Sequence, residues 1–376
     1  MDPRLISLFS FLISFQLLFV GIFLITHPKG NRRNNILLGT IFLLMAWNMG
    51  DLTLQVYGMA FNWKFLVHID DGFLLLYGPL FYLYARGVMF KDFRLSGGNL
   101  LHLIPYLLLT VSFPFIGNLV PETTEEILSE DLPWQFYSIG ALIYAVFFVY
   151  LGLTYHTLRK YRKIIKNEYS QIEQINLDWL SFSLNSFGLL TIVSLIHNFI
   201  ALAKNVYVFM VTLILLLIFI FYFVNRVILK ALRQPEIFAG IGQNETAKYL
   251  GSSLTPGQIE EYKRQLLAYL RTEKPFLNPH VSLSDLSEKL SVSTKHLSQV
   301  INQSFNKSFF DFINSYRIQE VQQILKESGD DKLTVLEVMY EAGFNSKSSF
   351  NTAFKKETGQ TPSEFRRMIS RMRSTS

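Results

Sequence analysis

Two short stretches near the C-terminus carry polar side chains at spacings suited to hydrogen bonding with base-pair edges and phosphates. In residues 334–365, a helix starting at about Lys347 turns Phe350 and Phe354 inward, four residues apart. It turns Lys347, Ser348, Ser349, Asn351, Thr352 and Lys355 outward. In residues 282–305, a helix from Thr294 turns Leu297, Val300 and Ile301 inward and Lys295, Ser298, Gln299 and Asn302 outward. A lysine ammonium can bind phosphate or guanine O6/N7, and a glutamine carboxamide can pair with adenine. Each polar residue alone would suit a solvated face equally well. The repetition at matched spacing favours nucleic-acid reading.

The elements that must position these side chains are marked by capping signals. Thr334 and Glu337 form a capping box ahead of the apolar face of Val335, Val338 and Met339. Gly343 stands where that helix must end and the chain must turn, and Phe344 follows as a plug. Gly359 ends the next helix, and Thr361-Pro362-Ser363-Glu364 opens another, with proline at its first position. Upstream, Ser282 caps a short amphipathic helix ending at Leu290, and Ser291-Val292-Ser293 is the turn. Both stretches therefore read as helix, turn, helix, the second helix bearing the polar face. Between them residues 308–327 form one uninterrupted helix with Phe309, Phe312, Ile313, Tyr316, Ile324 and Leu325 at its apolar positions. Such a rod is about 30 Å long. Successive major-groove faces on one side of B-DNA are about 34 Å apart, so it could present two reading helices to adjacent grooves.

Residues 275–370 resemble the DNA-binding domain of AraC/XylS-type bacterial transcription regulators. The resemblance rests on Leu286, Leu290, Ser293, Leu297, Ser298, Phe309, Phe312 and Arg317-Ile318. It rests more tightly on Gly343-Phe344, Ser349-Phe350, Phe354-Lys355 and the run from Gly359 to Arg366. It covers about a quarter of the chain. Met339 and Val321 stand where the family commonly has alanine. Carried over position by position, the resemblance implies base contacts from Lys295, Ser298 and Gln299 in the first unit and from Lys347, Ser348, Ser349 and Thr352 in the second. Asn302, Lys307, Lys355 and Lys356 suit phosphates better. It also implies double-stranded promoter DNA and RNA polymerase as partners, with a homodimer as an option that would raise effective concentration for a weakly basic domain.

The rest of the chain has a different composition. Half of the 376 residues are hydrophobic, with 34 Phe and 18 Tyr, and only 17% are charged, below the usual quarter. That average suits a membrane region joined to a soluble one. There is no cysteine, which excludes disulfides, a thiol nucleophile and thiolate metal sites. Seven apolar stretches are read as spans of the lipid bilayer: residues 5–25, 36–57, 65–89, 100–118, 134–155, 177–203 and 206–229. The first has only Arg4 as a basic leader and no A-x-A site after it, so it reads as an uncleaved span.

Loop charge sets the orientation. The first, third and fifth loops carry Arg32, Arg33, Arg86, Arg94 and the basic run 159–166. The fourth, by contrast, carries Glu122, Glu125, Glu126, Glu130 and Asp131 without Lys or Arg. The N-terminus is then outside and the C-terminal half in the cytoplasm, in a multi-pass protein of the bacterial inner membrane. Positive-inside topology explains the basic run without a lipid-binding role. Asp51, His68, Asp70, Asp71, His197 and Asn198 fall at similar depth in the outer third of the spans. They could line a pocket for a small ligand, or serve only interhelical hydrogen bonding. No metal site or cofactor is assigned. Gly78-Pro79, Pro105 and Pro114 are kink positions.

The expected architecture is all-α: a seven-span sensor region over residues 1–229, a juxtamembrane linker over 230–255, and a double helix-turn-helix domain over 256–376. A helix begins at Thr255-Pro256-Gly257-Gln258, either as the first of the DNA-binding domain or as a dimer contact. The expected function is a one-component transcription regulator that senses a small ligand or a membrane-protein partner. An enzyme is disfavoured by the lack of a phosphate-binding glycine loop, a nucleophile elbow or an HExxH pair. The remaining alternative is a membrane receptor whose helical tail binds a protein rather than DNA.

Overall fold

A computed structural model describes residues 3–28, 31–56, 72–90, 92–116, 132–173, 175–201, 204–233, 254–327 and 333–374. Among these residues the secondary structure is helical, without strands. The chain divides into two compact units, residues 1–159 with 177–242, and residues 160–176 with 243–376.

The first unit contains α1 (Pro3–Thr26), α2 (Arg32–Val56), α3 (Leu74–Met89), a 3-10 segment (Gly97–Leu103) leading into α4 (Ile104–Ile116), most of α5 (Trp134–Glu168), α6 (Asp178–Ala201) and α7 (Val206–Arg233). Five of them, α1, α2, α5, α6 and α7, are long and apolar enough to cross a membrane. They correspond to the first, second, fifth, sixth and seventh expected spans. The first seven residues of the third, 65–71, lie outside the described residues, which hold 16 residues of helix in α3. The fourth begins as 3-10 helix and becomes α-helical at Ile104, next to Pro105, a residue tolerated in a first helical turn. Pro79 lies inside α3, and the neighbouring Gly78 lets the helix approach Tyr150 of α5, where a Cβ would stand 3.0 Å from that side chain. Large apolar side chains such as Phe15, Phe19, Leu108 and Val149 face outward. A helix apolar on its outer face suits a lipid environment.

One expectation needs correction. The basic run 159–166 is not a loop: α5 continues as helix from Trp134 through Glu168. No glycine or proline interrupts residues 153–168, and the Lys, Arg, Leu and Ile there are adequate helix formers.

The second unit is built of α8 (Pro256–Glu273), a 3-10 turn (Pro275–Leu277), α9 (Leu283–Leu290), α10 (Thr294–Phe305), α11 (Phe309–Glu327), α12 (Val335–Glu341), α13 (Lys347–Thr358) and α14 (Pro362–Ser374). The caps form as the sequence indicates. The Thr255, Ser282 and Thr334 hydroxyls accept from Gln258, Asp285 and Glu337 amides, each with a reciprocal side-chain bond. The Glu337 and Glu364 carboxyls are held below their ordinary value, first by the backbone amides of Thr334 and Thr361 and then by their hydroxyls.

Two apolar cores share α11. Its N-terminal half (Phe309, Phe312, Ile313) packs with Leu266, Leu270, Leu286 and Leu297. Its C-terminal half (Ile318, Val321, Leu325) packs with Val338, Met339, Phe350 and Phe354. Leu266 and Leu270 assign α8 to the first core. Met339 and Val321, the larger residues at alanine positions, are both buried in the second core.

Candidate nucleic-acid interface

Each helix pair is turned by a left-handed residue. In the first, Ser291 (φ +52°) ends α9, and the Ser293 hydroxyl caps α10 by accepting from the His296 amide at 3.2 Å. In the second, Gly343 has φ +85°, and Ser346 caps α13 by accepting from the Ser349 amide at 3.4 Å. Helices α10 and α13 both pack on α11. That rod has 19 residues, which corresponds to about 28 Å.

Two ion pairs tie α13 to the first half of the unit. Lys356 Nζ stands 2.6 Å from Asp311 at the start of α11, and Lys307 Nζ is 3.0 Å from Glu357. Burial works to raise the Asp311 carboxyl. Hydrogen bonds from Lys356 and Ser308, with the charges of Lys356 and Lys166, outweigh it and bring the group below its ordinary value.

The expected reading residues occupy the following positions. Lys347, Ser348 and Thr352 are exposed on α13, and Ser349 is half-buried. Lys295 and Gln299 are half-buried on α10, where the Gln299 carboxamide donates to Gln303 at 3.4 Å. Ser298 differs from expectation: it is only 3% exposed. It lies at the edge of the inward stripe, and Asn302, one turn on, folds over it, donating to its carbonyl at 2.8 Å and its hydroxyl at 3.2 Å. Among the phosphate candidates, Lys355 is exposed, whereas Lys307 and Lys356 are each paired with a carboxylate.

Arg317, known from sequence only as part of a motif, is a buried hub. Its Nε donates to Phe276 O at 2.7 Å and its Nη2 to Asn278 O at 2.9 Å and Pro279 O at 3.3 Å. The guanidinium also faces the Phe344 ring, 5.5 Å from its centre. Burial pushes it down to about 10, against a weaker upward pull from Glu173, so it stays charged at neutral pH. Residues 169–176 also join this region, a role with no local signal in the sequence. Ser170 bonds to Pro279 and Val281, 109 and 111 positions away.

In the first unit, Asp51 accepts a hydrogen bond from Gln55 on its own helix. His197 is buried, with Nδ1 2.8 Å from the Thr212 hydroxyl of α7 and its ring 4.4 Å from that of Phe209. Asn198 donates to the Tyr144 hydroxyl of α5 at 2.7 Å. His197 and Asn198 thus join helices. His68, Asp70 and Asp71 lie outside the described residues, as does most of the expected linker, residues 234–253.

Residues 286–368 match the family described as "Helix-turn-helix domain". The chain is 28% identical over 115 residues to the Msm operon regulatory protein of Streptococcus mutans, covering 30% of this chain and 40% of that one. It is 31% identical over 103 residues to an uncharacterized HTH-type transcriptional regulator of Pseudoalteromonas carrageenovora, covering 27% and 58%. Both matches span less than two thirds of the relative. Among solved structures, the C-terminal domain of AraT, a response regulator from Geobacillus stearothermophilus, is similar at 28% identity and a TM-score of 0.25. That match covers 31% of this chain and 88% of that one.

Proposed function

We propose that this chain, whose C-terminal region is a helix-turn-helix domain of the AraC type, is a membrane-embedded one-component transcription regulator. Residues 1–229 form the sensor, 230–255 the linker and 256–376 the DNA reader. The observation that carries the reading is the shared rod. Helix α11 contributes to both cores, so the exposed faces of α10 and α13 are held on one rigid element. A length of about 28 Å is close to the rise of one duplex turn. Lys295, Gln299, Lys347, Ser348, Ser349 and Thr352 supply base-edge donors and acceptors, and Ser298 joins them once uncovered. Asn302, Lys307, Lys355 and Lys356 supply the salt-sensitive phosphate contacts. Five apolar helices and the positive-inside pattern support a bilayer around the first unit, with the reader on the cytoplasmic side.

The test is selection of duplexes from a random pool by the full chain in lipid nanodiscs, at two salt concentrations. A bipartite site with half-elements about one helical turn apart is expected. Replacement of Lys295, Gln299, Lys347 and Thr352 by alanine together should abolish the enrichment. Enrichment that survives all four replacements would refute the reading and leave a protein-binding tail as the alternative.

A further inference from the structure

Residues 169–176, between α5 and α6 in the chain, belong to the second unit. They double back on α5: the Tyr161 hydroxyl donates to Ile175 O at 2.8 Å, and Arg162 Nε donates to Asn176 O at 3.0 Å. The segment is therefore tied by hydrogen bonds to the end of a helix that runs unbroken from Trp134.

Its other contacts lie on the DNA-binding domain. Tyr169 pairs with Ser282 as an isolated antiparallel bridge. Ser170 is 2% exposed. Its hydroxyl donates to Val281 O, and its carbonyl and hydroxyl accept from Arg317 at 3.4 and 3.3 Å. The Gln171 carboxamide donates to Asn345, one residue before the cap of α13. Beyond it, Ile172 and Glu173 line a groove of about 280 Å³ together with Ser348, Ser349 and Thr352 of α13.

We propose that residues 169–173 are a latch on the reading side of the second helix pair, and that this chain engages duplex DNA only after the latch leaves. The proposal rests on the DNA-reading function given above. A helix with its side chains is about 10–12 Å across, and the major groove is about 12 Å wide, so α13 fills a groove by itself. A second stretch of chain beside Ser348 and Thr352 cannot enter with it. The docked state is held on this side by the Gln171 carboxamide, which donates to Asn345, and by the attraction of the Glu173 carboxylate for Arg317. A movement of α5 would lift the latch and uncover α13, linking the membrane half to the reader through a helix rather than through the 230–255 connection.

The chain has no cysteine, so one introduced pair is unique. Residues opposed in an antiparallel bridge have Cα atoms about 4.5–5.5 Å apart, within disulfide range. Tyr169→Cys combined with Ser282→Cys, in the full chain in nanodiscs, locks the latch when oxidised. The readout is binding of fluorescent duplexes enriched from a random pool by the reduced protein. The oxidised form should bind at least ~10-fold more weakly, with recovery on reduction and no redox effect in either single variant. An independent variant, Gln171→Ala with Glu173→Ala, should bind more tightly than the parent. Equal affinity of oxidised and reduced forms, tighter binding when oxidised, or no gain in the alanine variant overturns the latch while leaving the DNA reader intact. If the reduced protein enriches no sequence, the DNA-reading function itself fails and the latch falls with it.

Discussion

Gly343 and Gly359 form a matched pair of glycines whose replacement separates two physical effects. Both have left-handed backbone, at φ +85° and +76°. At Gly359 an added Cβ meets nothing within 4 Å. Gly359→Ala should therefore cost only the backbone term, about 1–2 kcal/mol. At Gly343 the Cβ would lie 2.6 Å from both Phe276 O and Leu277 O. These are backbone atoms, and Phe276 O is further held by Arg317 Nε at 2.7 Å, so neither can retreat cheaply. Overpacking adds about 1–3 kcal/mol, for a total of about 2–5 kcal/mol in Gly343→Ala. That is a large share of a domain stability of about 5–15 kcal/mol. The assay is amide hydrogen exchange of the full chain in nanodiscs, read in α12 and α13. Where opening and reclosing outpace exchange, each 1.4 kcal/mol corresponds to about tenfold faster exchange. Gly343→Ala should exceed Gly359→Ala by about five- to a hundredfold or more. Equal acceleration in the two variants would refute the close approach of residue 343 to the 276–277 turn.

Arg317→Lys keeps the charge but loses the planar fork, leaving the Phe276 and Asn278 carbonyls poorly served. A destabilisation of about 3 kcal/mol is expected in urea unfolding, and an unchanged midpoint would contradict the hub role. Lys355→Ala should weaken DNA binding and lower the slope of log affinity against log salt by about 1 without altering the enriched sequence. A changed sequence preference would make Lys355 a base reader instead. Because the folded Asp311 carboxyl lies below its ordinary value of 3.8, its stabilising effect is complete above that value and lost as pH falls beneath it. Asp311→Asn should accordingly flatten the acid limb of the unfolding midpoint against pH, and an identical acid limb would argue against the ion pair with Lys356.

The helices of the reader and their caps were legible residue by residue. A Thr or Ser with its reciprocal partner three positions on, an apolar face at helical spacing, and a glycine at a left-handed end are all decided within a few residues of chain. The same locality made the five long apolar helices visible. Where helix replaces the expected fifth loop, the reason is also local: nothing in residues 153–168 stops a helix, so α5 outruns its apolar stretch.

Tertiary structure decided what the chain does across distance. Ser298, a base-contact candidate on α10, has its hydroxyl covered by Asn302. Arg317 gains its role from carbonyls some 40 positions earlier and from Ser170, 147 positions earlier. The partners that Tyr169, Ser170 and Gln171 take among residues 279–345 lie more than 100 positions along the chain. The sequence by itself determined that two capped helix pairs flank a rod and that an apolar half precedes them. Only the folded chain decided that both cores share that rod, that Gly343 must lie against the 276–277 carbonyls, and that residues 171–173 lie beside α13. Periodicity and capping depend on neighbours within a helical turn, whereas buried hydrogen bonds between distant segments leave no period to read.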